Sequence, residues 1–235
     1  MFRTYLTAIG LEKIISEIDK TKLNNFVEKA FSQIHKEFTC EEIMELYTYF
    51  IPKLTPDGSC SITEELQGLP YNLAETFGLS YDCKTLQTHS QTVRLWHLKN
   101  IVRNLYKQTQ VDWLGIYRKT KNKKGQEILL KESYIGSPSR PEFPLTKNFA
   151  RHSNNSTVGL TGKAIIVENV TTYAGPYYKC DGKVRSEFCL PIINTDNQII
   201  GIIDAESFKE NYFTSKLLLQ IAKVAFELGK INLGV

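Results

Sequence analysis

Through the first third of the chain, apolar positions recur at three- and four-residue spacings. From Ile9 to Phe38, the residues Ile14, Ile15, Ile18, Phe26, Val27, Ala30, Phe31 and Ile34 keep this rhythm, which predicts helix with a candidate break at Asn24 and Asn25. Thr39, Cys40, Glu41 and Glu42 have the form of a capping box. The helix it opens is expected to run to about Ile51, where Pro52 stops it. The turn-rich stretch TPDGSCS and a short helix near Thr63 to Gln67 should follow, and Leu69 to Thr88 shows no dominant period. Ser90 opens a further helix to about Gln110, with Val93, Trp96, His97, Ile101 and Leu105 near one face.

After Gln110 the period changes to two. VDWLGIYRK and QEILLKESYI read as strands of a hairpin around the polar turn KNKKG. Gly136 to Thr157 is polar and contains proline, so a surface loop or lid is expected. VGLTGKAIIVE reads as a short helix running into a strand, and TTYAGPYYKCDGK as a loop carrying Cys180. VRSEFCLPII and IIGIIDAES form a second hairpin around NTDNQ, and Thr214 to Lys230 an amphipathic closing helix. Short antiparallel strands flanked by helices define an α+β domain. We place it at residues 90–235, with residues 1–89 as a helical N-terminal extension.

Composition narrows the function classes. Among 235 residues, 42% are hydrophobic and 23% charged, with 14 Gly and 8 Pro, which excludes collagen-like, coiled-coil and disordered chains. A net charge of +4 without a clustered basic face gives no reason to expect a nucleic-acid partner. No apolar run reaches the roughly 20 residues of a membrane span, and the first 20 residues are too charged for a signal peptide, so a cytoplasmic protein is expected. The five cysteines (Cys40, Cys60, Cys83, Cys180 and Cys189) are odd in number and widely spaced, which does not read as a disulfide framework. There is no CxxC, and the four histidines are scattered, so no metal site is expected from spacing.

Strand parity locates the chemistry. Asp204 and Glu206 are two apart, so they share a face about 7 Å apart along the strand. Glu187 and Cys189 share a face of the preceding strand in the same way. If the hairpin places these together, three carboxylates line one cavity, a costly arrangement that a cation such as an α-ammonium group, or a shared proton, relieves. Trp113 and Tyr117 alternate on the first strand and are a candidate aromatic wall for an alkyl or thioether group. Cys180 stands between Lys179 and Asp181 in a loop; Lys179 and Lys183 would lower its pKa and Asp181 would oppose that.

VDWLGIY, GLTGKA, PYYKCDGKVRSE and GIIDAES together resemble a GAF domain over Ser90 to Lys230. Within that superfamily they are most similar to free methionine-(R)-sulfoxide reductases. VRSE and GIIDAES are shared with sensory GAF domains; VDWLGIY with a Cys-Asp pair upstream of RSE points more narrowly to the reductases. The resemblance implies a GAF-like antiparallel sheet flanked by helices. It implies Trp113 and Tyr117 around the substrate side chain, and Glu187, Asp204 and Glu206 holding the amino group and sulfoxide. Cys180 is then the reactive cysteine, with Glu187 or Glu206 as acid catalyst. The family commonly has aspartate where Glu206 stands. Its two further cysteines are absent here, with Ser139 or Arg140 and Thr161 near the matching positions.

The function these residues imply is reduction of free methionine-(R)-sulfoxide through a sulfenic acid on Cys180. No cofactor is expected to be bound. An external reductant, either a thioredoxin-like thiol-recycling protein or a small dithiol, would regenerate the enzyme, or Cys189 would act as an unusual resolving thiol. The alternative is a non-catalytic sensor of an amino-acid-like ligand, or a degenerate reductase. In a third reading the extension from Phe2 to Thr88 binds a partner and the domain is its scaffold. The helix from Ser90 to Gln110 is a candidate homodimer seam.

Overall fold

The two period-two hairpins join into one sheet, with helices on its faces. The computed structural model describes residues 1–32, 38–53, 66–177 and 181–231. The first element is α1 (Phe2–Ala8), followed by a 3-10 helix (Glu12–Glu17), α2 (Lys20–Phe31) and α3 (Cys40–Leu46). β1 (Thr48–Tyr49) pairs antiparallel with β2 (Tyr71–Asn72), and α4 (Leu73–Thr76), α5 (Cys83–Gln87) and the long α6 (Ser90–Thr109) follow. The remaining strands are β3 (Trp113–Lys121), β4 (Glu127–Ile135), β5 (Glu142–Pro144), β6 (Ile165–Val167), β7 (Ser186–Ile193) and β8 (Ile199–Ser207). Short helices α7 (Lys147–Ala150) and α8 (Asn154–Thr161) lie between β5 and β6, and α9 (Ser215–Lys230) closes the domain. The sheet order is β5-β4-β3-β8-β7-β6, with every neighbouring pair antiparallel.

Alternation divides the sheet into two faces. Leu114, Ile116, Phe188, Leu190, Ile203 and Ala205 face α6 and α9, and Tyr5, Leu6, Ile9, Leu23 and Phe26 of the N-terminal region join the same core. A second cluster packs Ile43, Tyr47, Leu73 and Leu86 against Leu95 of α6 and Ile128 and Leu130 of β4. The opposite face carries Trp113, Tyr117, Cys189 and Ile202 beneath Val158 of α8.

Several boundaries depart from the sequence reading. The N-terminal helices break at Asp19, whose side chain accepts from Lys22 N, and not at Asn24 and Asn25, which lie inside α2. An aspartate accepts the orphan amides of a helix start better than two mid-helix amides interrupt one. The capping box at Thr39 and Glu42 forms, but α3 ends at Leu46 instead of near Ile51. Tyr49 leaves the helix to stack on Tyr71, with ring centroids 5.5 Å apart, and donates its hydroxyl to Lys131 O at 2.7 Å. The α6 core stripe is Leu95, Leu98, Ile101, Val102 and Leu105, while Val93 is exposed. Of the expected helix at Thr63 to Gln67, residues 63–65 lie outside the described residues, and Leu66 bridges to Pro52.

Two further corrections bear on chemistry. Cys40 and Cys83 form a disulfide, their Cα atoms 5.4 Å apart. Each opens a helix, α3 or α5, and packing of these helix starts joins positions whose separation in sequence conceals the pairing. The segment from Gly136 to Thr157 is not a surface loop. It supplies β5 and α7 and opens α8, and Ser139, Arg140, Ser153, Asn154, Asn155 and Ser156 are all buried.

Candidate functional site

The site is built on the sheet face beneath α8. In the β7–β8 ladder Glu187 stands opposite Glu206, and Cys189 opposite Asp204. In the β8–β3 ladder Glu206 stands opposite Trp113, and Asp204 opposite Gly115. Register therefore brings Trp113, Tyr117, Glu187, Cys189, Asp204 and Glu206 onto one face, as parity predicts. Glu187 and Asp204 are each 3% exposed and Cys189 is fully buried, while Glu206 is half-buried.

The aromatic wall depends on a glycine. A Cβ at Gly115 would collide with the Trp113 indole and crowd the Tyr117 ring, so the missing side chain lets both rings converge over β3. Their centroids are 6.3 Å apart, and Phe143 of β5 packs edge-on to Tyr117 at 5.5 Å. Trp113 Nε1 donates to Ser137 O at 2.9 Å, and Ser137 Oγ donates to Asp181 Oδ2 at 3.2 Å. The residue after Cys180 is thus anchored beside the Trp113 edge of the site. Cys180 itself lies outside the described residues.

Two asparagines at the start of α8 face the acids. Asn154 Nδ2 donates to Glu187 Oε2 at 3.2 Å, and Asn155 Nδ2 to Asp204 Oδ2 at 2.9 Å. Tyr173 donates its hydroxyl to Asn154 Oδ1 at 3.3 Å, orienting that amide. Ser139 also lines the site, held by the fully buried Lys131, whose Nζ donates to both its carbonyl and its hydroxyl oxygen at 2.7 Å. Polarity hid these residues, because a run such as RHSNNST reads as solvent-facing until its carboxylate partners are known. Arg140 stacks on Phe143 and Phe149, and Thr161 is exposed at the end of α8.

Burial dominates the electrostatics. It raises Glu187 well above the carboxylate range, helped by the neighbouring Asp204 and opposed by the Asn154 hydrogen bond. Burial also raises Asp204 to about 7, against the hydrogen bonds from Asn155 and the Ala205 amide. The Cys189 thiol is pushed up by burial and then by Asp204, Glu187 and Glu206, which disfavours the thiolate that a resolving step requires. The cavity over these acids is about 20 Å³, room for one water-sized body.

The raised acid makes a stability prediction. Asp204 holds its proton more tightly folded than in an unfolded chain, where aspartate titrates at about 3.9. Its contribution is therefore full below about pH 4 and is lost as pH rises through about 7. Asp204→Asn is expected to exceed the parent in urea stability at pH 8 by about 1–3 kcal/mol, with the gap closing at pH 4. A variant less stable than the parent at pH 8 would contradict this assignment.

Known proteins share this architecture. A family model for the GAF domain matches residues 98–230. A type II free methionine-R-sulfoxide reductase from Thermoplasma acidophilum superposes with a TM-score of 0.53 at 18% identity, covering 60% of this chain and 93% of that one. A free methionine-R-sulfoxide reductase from Neisseria meningitidis gives a TM-score of 0.45 at 19% identity, over 57% of this chain and 77% of its own. A GAF sensor protein from Burkholderia vietnamiensis gives 0.46 at 20%, over 55% and 75%. At 18% identity the likeness to the Thermoplasma acidophilum protein is one of fold. A search of curated proteins gives no match. Among the described residues no helix is long and apolar enough to cross a membrane. With its antiparallel sheet, its flanking helices and a family match over more than half its length, the chain belongs to the GAF domain family.

Proposed function

We propose that this GAF domain binds a free amino-acid-like molecule on its acidic face and reduces methionine-(R)-sulfoxide through Cys180. The observation that carries the reading is the buried pair Glu187 and Asp204 beneath an aromatic wall. Paired carboxylates in a water-poor site fit an ammonium group, and Trp113, Tyr117 and Phe143 fit a thioether arm. Glu206, half-buried opposite Glu187 in the β7–β8 ladder, is the proton donor, which leaves Glu187 and Asp204 to the ammonium group. The Cys180 thiolate attacks the sulfoxide sulfur and forms an S–S bond while the oxygen takes the Glu206 proton and departs as hydroxide; the hydroxide then attacks the Cys180 sulfur, the S–S bond breaks, and methionine leaves with that electron pair. Cys180 holds the oxygen as a sulfenic acid. Two thiols of an external reductant, a small dithiol or a thioredoxin-like protein, then regenerate the thiol and release water and a disulfide. Burial of Cys189 leaves resolution to that reductant.

Non-catalytic sensing is the second reading, favoured by the small cavity and by serine and threonine near the positions of the family's other cysteines. Coupled turnover of separated R and S sulfoxides with dithiothreitol decides between them. The reductase reading expects turnover of the R form alone. Binding without turnover of either form would leave the sensor.

A further inference from the structure

We propose that Glu187, Cys189 and Asp204 form a site for one divalent transition-metal ion of the zinc and cobalt class. The Cys189 sulfur and one oxygen from each carboxylate all lie within 4.8 Å of one another. Three donors so placed have a common centre within about 2.8 Å of each. Inward movement of about half to three-quarters of an ångström reaches the bond lengths of about 2.0–2.3 Å that zinc makes to oxygen and thiolate. Ladder register fixes the set, since Cys189 stands opposite Asp204 and Glu187 is two residues along the same strand.

An independent observation points to a ligand. Asp204 Oδ1 is buried and accepts no hydrogen bond, while Oδ2 is held by Asn155. A buried acceptor without a partner is costly, and a bound cation removes that cost. The space beside it, about 20 Å³, takes one water as a fourth ligand and leaves the three-plus-one arrangement of an open zinc site. The donors select the metal. Two carboxylates and a thiolate suit zinc or cobalt, whereas calcium and magnesium require six or more oxygens. Motif spacing could not show this set, because its ligands come from two strands and include no histidine. The proposal requires neither Cys180 nor turnover, and a metal here would displace an ammonium group from the same carboxylates.

Anaerobic titration of the full chain with Co²⁺ tests it, because thiolate ligation alone gives an intense sulfur-to-cobalt charge-transfer absorption. One equivalent of Co²⁺ is expected to produce that band and Zn²⁺ to abolish it. Cys189→Ser should lose the band, and Asp204→Asn should weaken Zn²⁺ binding at least about 100-fold. Cys180→Ser, inactive under the reductase reading, should bind Co²⁺ as the parent does. Circular dichroism establishes that each variant is folded. Absence of the band from the parent, its persistence in Cys189→Ser, or unchanged Zn²⁺ affinity in Asp204→Asn would each overturn the proposal.

Discussion

Cys180→Ser is expected to lower turnover of methionine-(R)-sulfoxide by at least about 10³-fold, because the nucleophile is removed and no other thiol of the site replaces it. Cys189 is fully buried, and burial with three nearby carboxylates holds its proton in place. Cys40 and Cys83 are joined to each other. The hydroxyl of the variant keeps the size of the side chain, so affinity for the sulfoxide should stay within about twofold. Steady-state turnover with dithiothreitol, paired with calorimetric binding, separates the two quantities. Retained turnover in Cys180→Ser would remove the covalent step from the account.

The largest stability effect is expected away from the site, at Glu132. Its carboxylate is buried on β4 between Arg94 of α6 and Arg118 of β3. Arg94 donates twice to Oε2, from Nε at 3.1 Å and Nη2 at 2.6 Å, and Arg118 Nε pairs with Oε1 at 2.7 Å. The Arg118 guanidinium also lies over the Phe77 ring at 4.8 Å, so one acid ties the long helix, two strands and the N-terminal region together. Glu132→Ala leaves buried Arg94 and largely buried Arg118 facing each other without their anion. Breaking a buried pair from one side costs about 3–5 kcal/mol. Urea unfolding at neutral pH should therefore show a lower midpoint with little change in slope. A loss below about 1 kcal/mol would mean that water reaches the arginines.

The parts of this molecule legible in sequence are those governed by period. Alternation placed Glu187, Cys189, Asp204 and Glu206 on one face, and the ladder between β7 and β8 has that register. Trp113 and Tyr117 were readable for the same reason. The capping box at Thr39 was readable because its two side chains act over three residues. What sequence concealed depends on distant partners. Asn154 and Asn155 are polar residues whose burial makes sense only once Glu187 and Asp204 stand below them. The Cys40–Cys83 bridge depends on two helix starts meeting, and the early end of α3 on Tyr49 finding Tyr71 and Lys131. Gly115 carried no signal of its own, since its role is to leave space for two rings it does not adjoin in sequence.

The central claim is that Glu187 and Asp204 form a seat for the amino group of a free small molecule. Calorimetric titration of Cys180→Ser with methionine-(R)-sulfoxide and with its des-amino analogue tests it directly, because this variant binds without consuming the ligand. The account predicts that removing the amino group weakens binding at least about 100-fold, the loss of a buried charge-assisted contact of about 3 kcal/mol. Equal affinity for the two compounds would contradict it.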